Sequence, residues 1–231
     1  MLAEPSDWSV IVTGGSSGLG AAVVRALSAA GASVVPIDQR PAEHQPSVEA
    51  DLSDTAAATA ATEQALELLG QRLDAVVCCA GMDVPGALAE VDAELWDRIV
   101  AVNLFGTAAV IRTAVPHLEA SHGRIVTVAS TLGHRAVGDA TAYCASKFGV
   151  VGFTRALTAE LRGKVGVTLL TPGGMSTAFF DDRDEQYRPG PDAVLADPDH
   201  IAASVVWCLG RPAGIEVREL AVMSEGETSW P

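Results

Sequence analysis

The sequence predicts an α/β fold in which one doubly wound parallel sheet of about seven strands carries helices on both faces. Short apolar runs alternate with longer helical patterns from Ser9 onward, and this alternation is typical of a parallel sheet covered by helices. Hydrophobic residues make up 48% of the 231 positions and charged residues 19%, a composition that supports a packed core. No linker divides the chain, so we expect residues 1–231 to form a single domain.

The first half of the chain is expected to supply four strands and two helices. Two prolines at positions 41 and 46 break the segment after the second strand and leave room only for a short third strand. The expected elements are a strand over 9–13, a helix ending near 31, a strand over 33–37 that ends at Asp38, a short strand before 51, a helix over about 55–69 and a strand over 74–78.

The second half of the chain continues this rhythm until residue 172 and then departs from it. Residues 175–198 mix aromatic, acidic and proline residues, and we expect an irregular excursion there that covers the site. The expected elements are a helix over about 94–118, a strand over 124–128, a helix over about 141–161, a strand over 165–170, a helix over about 199–209 and a strand near 220–223.

Charge and composition exclude several classes of function. A net charge of -14 argues against nucleic acid, because phosphate binding needs a basic surface. The chain does not begin with a basic segment followed by an apolar run, and no stretch approaches an uninterrupted membrane span, so we expect a cytoplasmic protein with no membrane partner. The four cysteines contain no C-x-x-C pair, and we expect free thiols and no metal.

A glycine-rich turn follows the first strand, from Thr13 to Gly20. Glycines there let the backbone approach a pyrophosphate, and the helix that follows presents free N–H groups and a positive dipole end. The second strand ends at Asp38, 20 residues after Gly18, where a carboxylate can accept both hydroxyls of an adenosine ribose. The turn and the carboxylate together predict a Rossmann-type dinucleotide site.

Six motifs in order make the sequence resemble the short-chain dehydrogenase/reductase family over residues 10–177. Any one of them is modest evidence, but their order and spacing are specific. They are the T-G-x-x-x-G-x-G turn with Gly14, Gly18 and Gly20, the dipeptide Asp51-Leu52 with the acidic residue that faces the adenine in the family, the Asn motif around Asn103, the serine Ser130, the Y-x-x-x-K element with Tyr143 and Lys147, and the segment Pro172-Gly173 with Thr177.

The chemistry of an NAD(P)-dependent oxidoreductase follows from four of these residues. Tyr143 and Lys147 are four positions apart on one helix, so their side chains share a face. A phenol with a pKa near ~10 is a poor base at neutral pH, and we expect the Lys147 ammonium and the positive nicotinamide of NAD⁺ to lower that pKa so that Tyr143 acts as acid and base. Ser130 would hydrogen bond to the substrate oxygen. The resemblance implies that Lys147 also binds the nicotinamide ribose and that Asn103 holds a water that connects Lys147 to solvent.

We expect the coenzyme to be NAD, with NADP less favoured, because Asp38 would face the 2′-phosphate of NADP. The glycine turn has no positive charge to offset that phosphate, although Arg40 follows Asp38 closely enough to reach it. The predicted coenzyme-binding residues are Gly14, Ser16, Ser17, Gly18, Leu19, Asp38, Asp51, Leu52, Ala80, Gly81, Tyr143, Lys147, Pro172, Gly173 and Thr177.

The substrate side of the site has a mostly apolar set of candidate residues, which disfavours a strongly anionic substrate. The acidic run from Asp181 to Glu185 is expected to be a solvated surface, and Trp230 to be an anchor on a neighbouring subunit, a cover of the site, or neither. The candidate lining residues are Met82, Asp83, Thr131, Leu132, His134, Gly174, Met175, Phe179 and Phe180.

Two departures from the family pattern and two alternatives remain open. Cys78-Cys79 replaces the usual Asn pair before Ala-Gly, and the segment after Asp38 is too short for the usual helix. The main hypothesis is hydride transfer between NAD(H) and a small carbonyl or secondary alcohol; the alternative is a sensor or scaffold that binds the dinucleotide without turnover.

The helices over 94–118 and 141–161 resemble those through which family members associate, so we expect a homodimer or homotetramer.

Overall fold

A computed structural model of the protein describes residues 5–230 and contains one seven-stranded parallel sheet. The spatial order of its strands is β3-β2-β1-β4-β5-β6-β7. The strands are β1 (Ser9–Thr13), β2 (Ser33–Asp38), β3 (Val48–Glu49), β4 (Ala75–Cys78), β5 (Arg124–Val128), β6 (Gly166–Pro172) and β7 (Glu219–Val222). Positions 1–4 and 231 lie outside the described residues. The predicted domain 1–231 includes these positions, and the expectation that the chain does not begin with a basic segment falls on 1–4.

Six α-helices cover the two faces of the sheet. They are α1 (Gly18–Ala29), α2 (Thr55–Leu68), α3 (Ala93–Val100), α4 (Thr107–Ser121), α5 (Thr141–Glu160) and α6 (Pro198–Leu209). The predicted fold class is confirmed, and the predicted strands and helices agree with the observed ones to within a few residues, apart from the 94–118 helix.

The central strands are buried on both faces, which explains why they appear in the sequence as continuous apolar runs. Neighbouring residues of a strand enter opposite cores, because successive side chains point to opposite faces of a sheet. Ile11 packs with residues of α2 and α4, whereas Val10 and Val12 pack with residues of α1 and α6. The helices therefore hold the sheet from both sides, as a doubly wound fold requires.

The strand order reverses between β1 and β4, and this reversal places the candidate site. Strands β2 and β3 lie on one side of β1, and strands β4 to β7 lie on the other. In open parallel sheets, ligands bind beyond the carboxyl ends of the strands at such a reversal. The segments that follow β1, β4, β5 and β6 all begin at this edge of the sheet.

The helix predicted over 94–118 is wrong in one respect, because it is not a continuous α-helix. It consists of α3, a π-helical segment over Ala101–Gly106 and α4. Such segments are uncommon and often occur at functional sites. A Cβ on Gly106 would lie 2.4 Å from the backbone oxygen of Leu52, so this segment packs directly against the loop that precedes α2.

Residues 93–121 together form a helical run of 29 residues that is long and apolar enough to cross a membrane, by length and composition alone. From the sequence we expect a helix here but no uninterrupted apolar span, because polar residues such as Asn103 and Arg112 interrupt the run. The buried side chains of α4, among them Ile111 and Leu118, pack in the core against the sheet. Core helices of this kind pass the same test of length and composition, so the run is weak evidence for a membrane span.

The excursion over 175–198 is irregular, as predicted, and a β-bridge between Met175 and Ala196 closes its base. Two short 3-10 turns, Ala178–Phe180 and Glu185–Tyr187, are its only described helical segments. The bridge brings both ends of the excursion back to the carboxyl edge of the sheet. The excursion therefore stands directly over the residues that follow β6.

Leu118→Ala is predicted to destabilise the fold, because Leu118 is fully buried between α4 and the sheet. Truncating a buried leucine costs about 2–5 kcal/mol through lost burial and the cavity left behind. Leu68→Ala is the matched control, since Leu68 is a helical leucine that is 47% exposed, and surface changes usually stay within about 0.5 kcal/mol. Urea denaturation of both variants measures the difference; equal losses would contradict this account of the core.

Candidate active site

Ser130, Tyr143 and Lys147 converge at the carboxyl end of β5. Ser130 follows β5 and begins a 3-10 turn, where its hydroxyl accepts a hydrogen bond from the N–H of Leu132 at 3.1 Å. Tyr143 and Lys147 lie one turn apart on α5, and both side chains are buried. The structure therefore brings together three of the four residues predicted from the sequence to be catalytic; the fourth is Asn103.

Burial has the largest effect on the acidity of Tyr143. It raises the pKa of the Tyr143 phenol to about 12, while a hydrogen bond with Ser130 acts in the opposite direction. The Lys147 ammonium lies 5.6 Å from the centroid of the Tyr143 ring. Without coenzyme the phenol pKa is therefore raised, because removal of the phenol from water outweighs the nearby Arg183 charge. The lowering expected from Lys147 together with a positive nicotinamide stays a prediction.

Lys147 is buried and points back to the end of β5. Its Nζ donates a hydrogen bond to the carbonyl oxygen of Val128 at 2.9 Å. Burial lowers the pKa of Lys147 to about 8, because an ammonium is costly to hold away from water. A Cβ on Gly81 would lie 3.5 Å from this Nζ, so the loop after β4 passes close beside it.

Asn103 connects the loop after β4 to helix α5. Its Oδ1 accepts a hydrogen bond from the N–H of Met82 at 2.8 Å, and its Nδ2 donates to the carbonyl of Met82 and to the Ser146 hydroxyl, both at 2.9 Å. The π-helical segment turns Asn103 inward to make these bonds. This geometry supports a positioning role for Asn103, and its water relay stays a prediction.

The glycine turn has the backbone shape that the sequence analysis predicted. Gly14 and Gly18 adopt positive φ angles of +70° and +52°, which favour glycine. A Cβ on Gly20 would lie 2.0 Å from the carbonyl oxygen of Gly14, so no larger residue fits there without movement. Helix α1 begins at Gly18, and its N-terminus and the turn form a cradle suited to a pyrophosphate.

Asp38 is buried at the end of β2 and is fixed by two backbone groups. One carboxylate oxygen accepts a hydrogen bond from the N–H of Ser16 at 3.0 Å, and the other accepts from the N–H of Arg40 at 3.2 Å. The guanidinium of Arg40 reaches back to the Ser17 hydroxyl at 3.3 Å. A carboxylate and a cation therefore both stand beside the glycine turn.

The remaining coenzyme candidates lie on both sides of this turn. Thr177 lies beside Gly18, since a Cβ placed on Gly18 would lie 3.6 Å from the Thr177 side chain. Asp51 forms an ion pair with Arg98 at 2.8 Å; burial opposes ionisation of Asp51, but hydrogen bonds from Ser53 and Arg98 hold its pKa below the usual value. The sequence analysis did not identify Arg98. Leu19 and Leu52 are buried, and Ala80 donates its N–H to the Thr13 hydroxyl at 3.2 Å. Pro172 is the last residue of β6, and Gly173 follows it.

The C-terminal segment adds contacts that the sequence analysis missed. Glu227 accepts a hydrogen bond from the N–H of Gly174 at 2.8 Å, and the Ser229 hydroxyl donates to the Thr131 hydroxyl at 2.7 Å. Trp230 stands edge-on to the His134 ring, with centroids 5.3 Å apart. Of the roles considered for Trp230, the structure favours a cover of the site within its own chain. No short-range pattern in the sequence indicated these contacts.

On the substrate side, the excursion covers Tyr143. The ring centroids of Phe179 and Tyr143 are 5.9 Å apart, and Phe180 packs edge-on against Phe179 at 5.4 Å. A cavity of about 430 Å³ lies within the excursion itself, where Thr177, Phe180 and Leu195 are among its lining residues, and Tyr143 does not line it. Met175 instead packs against the core on the α1 and α6 face, so it is not brought to Tyr143.

An ion pair between Asp83 and Arg183 ties the excursion to the loop after β4 at 2.8 Å. The side chains of Asp83 and Arg183 are only 4% and 13% exposed, and the guanidinium stacks on Phe179 and Phe180. The expectation that Asp181–Glu185 is a solvated surface is therefore wrong for Arg183. Within this run of charges Arg183 alone is seen to turn inward, to Asp83, which lies 100 positions earlier in the chain.

Comparison with known proteins identifies the class that this fold and site define. Residues 9–188 match the family model described as short chain dehydrogenase, and the chain belongs to that family of oxidoreductases, which use a nicotinamide dinucleotide. Among residues 5–230, no group of three or more His, Cys, Asp or Glu side chains is placed to hold a metal ion. The expectation of a metal-free site stays a prediction.

Relatives within the family act on different substrates and use different coenzymes. The chain is 38% identical to the NAD(+)-named 2-dehydro-3-deoxy-L-rhamnonate dehydrogenase of Sphingomonas sp., with 74% of this chain and 73% of the relative covered. It is 36% identical to the L-fucose dehydrogenase of Mus musculus, with 94% and 82% covered. A short chain dehydrogenase structure from Burkholderia cenocepacia in complex with NADP superimposes with a TM-score of 0.83 at 26% identity, with 95% and 98% covered.

Lys147 is predicted to make stability depend on pH between about 8 and 10. Its pKa falls from 10.5 to about 8 on burial, so in this window the unfolded chain holds more protons than the folded chain. The contribution of Lys147 to the free energy of unfolding therefore rises with pH, by about 2 kcal/mol across the window.

The measurement is the difference in unfolding free energy between wild type and Lys147→Met at pH 8 and at pH 10. That difference is expected to increase with pH. Lys164→Met is the matched control, because Lys164 is 62% exposed and pairs only with Glu119 among the described residues; its difference should stay flat. A flat difference for Lys147→Met as well would show that the ammonium is not held away from water.

Proposed function

We propose that the protein transfers a hydride between NAD(H) and a small carbonyl or secondary-alcohol substrate, with Tyr143 as the general acid and base. The observation that carries this proposal is the convergence at the end of β5 of the buried Tyr143 and Lys147 with Ser130, which hydrogen bonds to the Tyr143 phenol. When bound, the nicotinamide dinucleotide supplies the hydride donor or acceptor. The chain's own residues then have to hold the substrate and move one proton.

Tyr143 is suited to donate that proton in carbonyl reduction. With a pKa of about 12 it stays protonated at neutral pH, so the proton is available when charge develops on the carbonyl oxygen. Ser130 hydrogen bonds to the same oxygen and stabilises the charge that forms there. In alcohol oxidation Tyr143 accepts the proton instead, a direction that higher pH favours.

Lys147 and Asn103 support this chemistry from behind Tyr143. The Lys147 ammonium faces the end of β5 and the loop at Gly81, a position from which it would bind the nicotinamide ribose. Asn103 fixes Met82 and Ser146, so it holds that loop and helix α5 in register. The remaining contacts to the coenzyme would come from the glycine turn, Asp38, Asp51, the loop after β4 and the segment from Pro172 to Thr177.

A sensor or scaffold that binds the dinucleotide without turnover is the second candidate function. Such a protein has no need of a proton donor, and we would expect its Ser, Tyr and Lys positions to be altered. Here Ser130, Tyr143 and Lys147 are all present, and burial together with a hydrogen bond tunes the phenol. The intact set supports an enzyme over this alternative.

The coenzyme preference that we propose is NAD over NADP, because Asp38 is fixed at the position expected for the adenosine ribose. A 2′-phosphate would meet this buried carboxylate, and like charges repel strongly in a partly desolvated site. Arg40 would favour NADP, since its guanidinium already donates a hydrogen bond to Ser17 beside the turn and could attract the 2′-phosphate. The fixed carboxylate is the stronger effect, because Arg40 is exposed and loses interaction energy to solvent screening.

The state of assembly that we propose is a homodimer or homotetramer in the cytoplasm. Phe105 in the π-helical segment is 52% exposed, and Phe148 on α5 is 45% exposed. Large exposed aromatic side chains are typical of surfaces that bind another protein. These two lie on the helices through which relatives associate, so a second copy of the chain would cover them.

Tyr143→Phe is predicted to reduce turnover by at least ~100-fold, because it removes the transferable proton and keeps the ring. Steady-state assays of carbonyl reduction, followed at the nicotinamide absorbance, measure this loss. Coenzyme binding and the melting temperature should stay close to wild type, since the ring still packs against Phe179. A variant that retains more than half of the wild-type rate would sink the assignment.

Asp38→Ser is predicted to narrow a wild-type preference for NAD that exceeds ~10-fold in kcat/KM, since charge-assisted hydrogen bonds are worth about 1.5–3 kcal/mol. NAD use should weaken and NADP use should improve, with Arg40 free to meet the phosphate. Arg40→Met is the matched control, because it removes the cation and leaves the carboxylate; it should widen the preference. Better wild-type activity with NADPH would reverse the coenzyme assignment.

A closed symmetric oligomer is predicted to bury more than ~1,000 Å² at each contact. Light scattering at tens of micromolar should give the mass of a dimer or tetramer of the 23.8 kDa chain. Phe148→Asp places a charge on the proposed contact and should shift the mass toward that of one chain. A wild-type monomer at this concentration would refute the proposal.

A further inference from the structure

The ion pair between Asp83 and Arg183 is unusual for this molecule because both partners are buried. The other six ion pairs among residues 5–230 each include at least one side chain that is more than a third exposed. Here the two side chains are 4% and 13% exposed. Burying a charge pair is costly and contributes little to stability by itself, so its presence beside Tyr143 requires another explanation.

Each partner of this pair also leaves one polar atom without a hydrogen bond. Within the described part of the chain, the Oδ1 atom of Asp83 and the Nε atom of Arg183 are both buried and have no partner. One of these atoms is an acceptor and the other is a donor. Buried polar groups without partners are costly in proteins generally and mark positions where a ligand or water completes the bonding.

The pair lies at the reacting end of the site. Arg183 stacks on the Phe179 ring at 4.8 Å, and Phe179 in turn packs against Tyr143 at 5.9 Å. The charges of Asp83 and Arg183 both act on the Tyr143 phenol, in opposite directions. Asp83 follows Met82, whose backbone Asn103 fixes, so the carboxylate is held beside the phenol by the same bonds that order the loop after β4.

A hydroxyl group is a small neutral substituent that can complete the bonding of both atoms. It donates one hydrogen bond and accepts others, so a single hydroxyl can serve both the carboxylate oxygen and the guanidinium N–H. A carboxylate on the substrate would suit Arg183 but would face the charge of Asp83. A methyl group would leave both atoms without partners.

We propose that Asp83 and Arg183 form a specificity site for a hydroxyl group on the carbon next to the reacting carbon, so that the substrates are neutral polyhydroxylated carbonyls and alcohols. This inference rests on the proposed hydride transfer at Tyr143. Asp83 accepts a hydrogen bond from the substrate hydroxyl, and Arg183 donates one to it. Arg183 belongs to the excursion, so closure of the excursion over the substrate and recognition of this hydroxyl are the same event.

The test compares three alcohols that differ only in the group beside the reacting carbon. The probes are trans-1,2-cyclohexanediol, 2-methylcyclohexanol and 2-hydroxycyclohexanecarboxylate, each with NAD and with NADP. The wild type should oxidise the diol with a kcat/KM at least ~10-fold above that for the methyl compound, because sites that hydrogen bond a hydroxyl discriminate strongly against analogues without it. Equal use of the two, or a preference for the carboxylate, overturns the proposal.

Two variants test each partner while retaining most of the packing. Asp83→Asn removes the charge at constant size, and Arg183→Met keeps an unbranched side chain against Phe179 and Phe180. Each should lower the ratio of kcat/KM for the diol to kcat/KM for the methyl compound by at least ~10-fold. Asp199→Asn, which makes the same change in an exposed ion pair with Arg25, should leave this ratio unchanged. Equal losses for both alcohols would indicate a merely structural pair and overturn the proposal.

A binding measurement separates this inference from the proposed function. If the wild type oxidises none of the three alcohols with either coenzyme, the proposed hydride transfer loses support. Calorimetric titration of the diol and of the methyl compound into the protein with coenzyme then decides the specificity site. Preferential binding of the diol that Asp83→Asn abolishes supports the site, and equal or undetectable binding of the two overturns it.

Discussion

The close approach of two backbones at the reversal point of the sheet is the constraint on which the rest of the site depends. The turn after β1 and the loop after β4 meet there, and a Cβ on Gly14 would lie 2.8 Å from the backbone of Ala80. No side chain can stand between them. The loop after β4 is therefore held against the dinucleotide cradle on one side, and it passes Lys147 and Asn103 on the other. The glycine turn and the end of the site that holds Lys147 and Asn103 are thus joined by a single loop.

Local signals were sufficient to predict the fold and the central residues of the site. A strand buried on both faces is apolar along its whole length, so β1, β4 and β5 were visible as short runs between helical patterns. The four-residue spacing of Tyr143 and Lys147 fixes their shared helix face whatever else surrounds them. The glycines of the turn likewise report a local backbone requirement that does not depend on distant residues.

The features that could not be predicted are those set by contacts between distant parts of the chain. Asp83 and Arg183 are 100 positions apart, and a charge run gives no sign of which member turns inward. The π-helical segment around Asn103 packs against Leu52, which lies about 50 positions earlier, and no local pattern in the sequence indicated it. The pKa of Tyr143 depends on how completely its surroundings exclude water, a quantity that spacing along a helix does not contain.

The contacts that complete the site have a further consequence for its dynamics. The bonds of Thr131 with Ser229 and of Gly174 with Glu227 join segments 98 and 53 positions apart and involve few buried apolar side chains. Elements of this kind open in local unfolding long before the global transition, because little apolar burial opposes them. Amide hydrogen exchange in the 131–134 and 173–183 segments should therefore proceed through sub-global openings, while β1, β4 and β5 exchange only when the whole sheet unfolds. The segments around Thr131 and Gly174 should therefore have the lowest local stability in a sheet that otherwise unfolds as one unit.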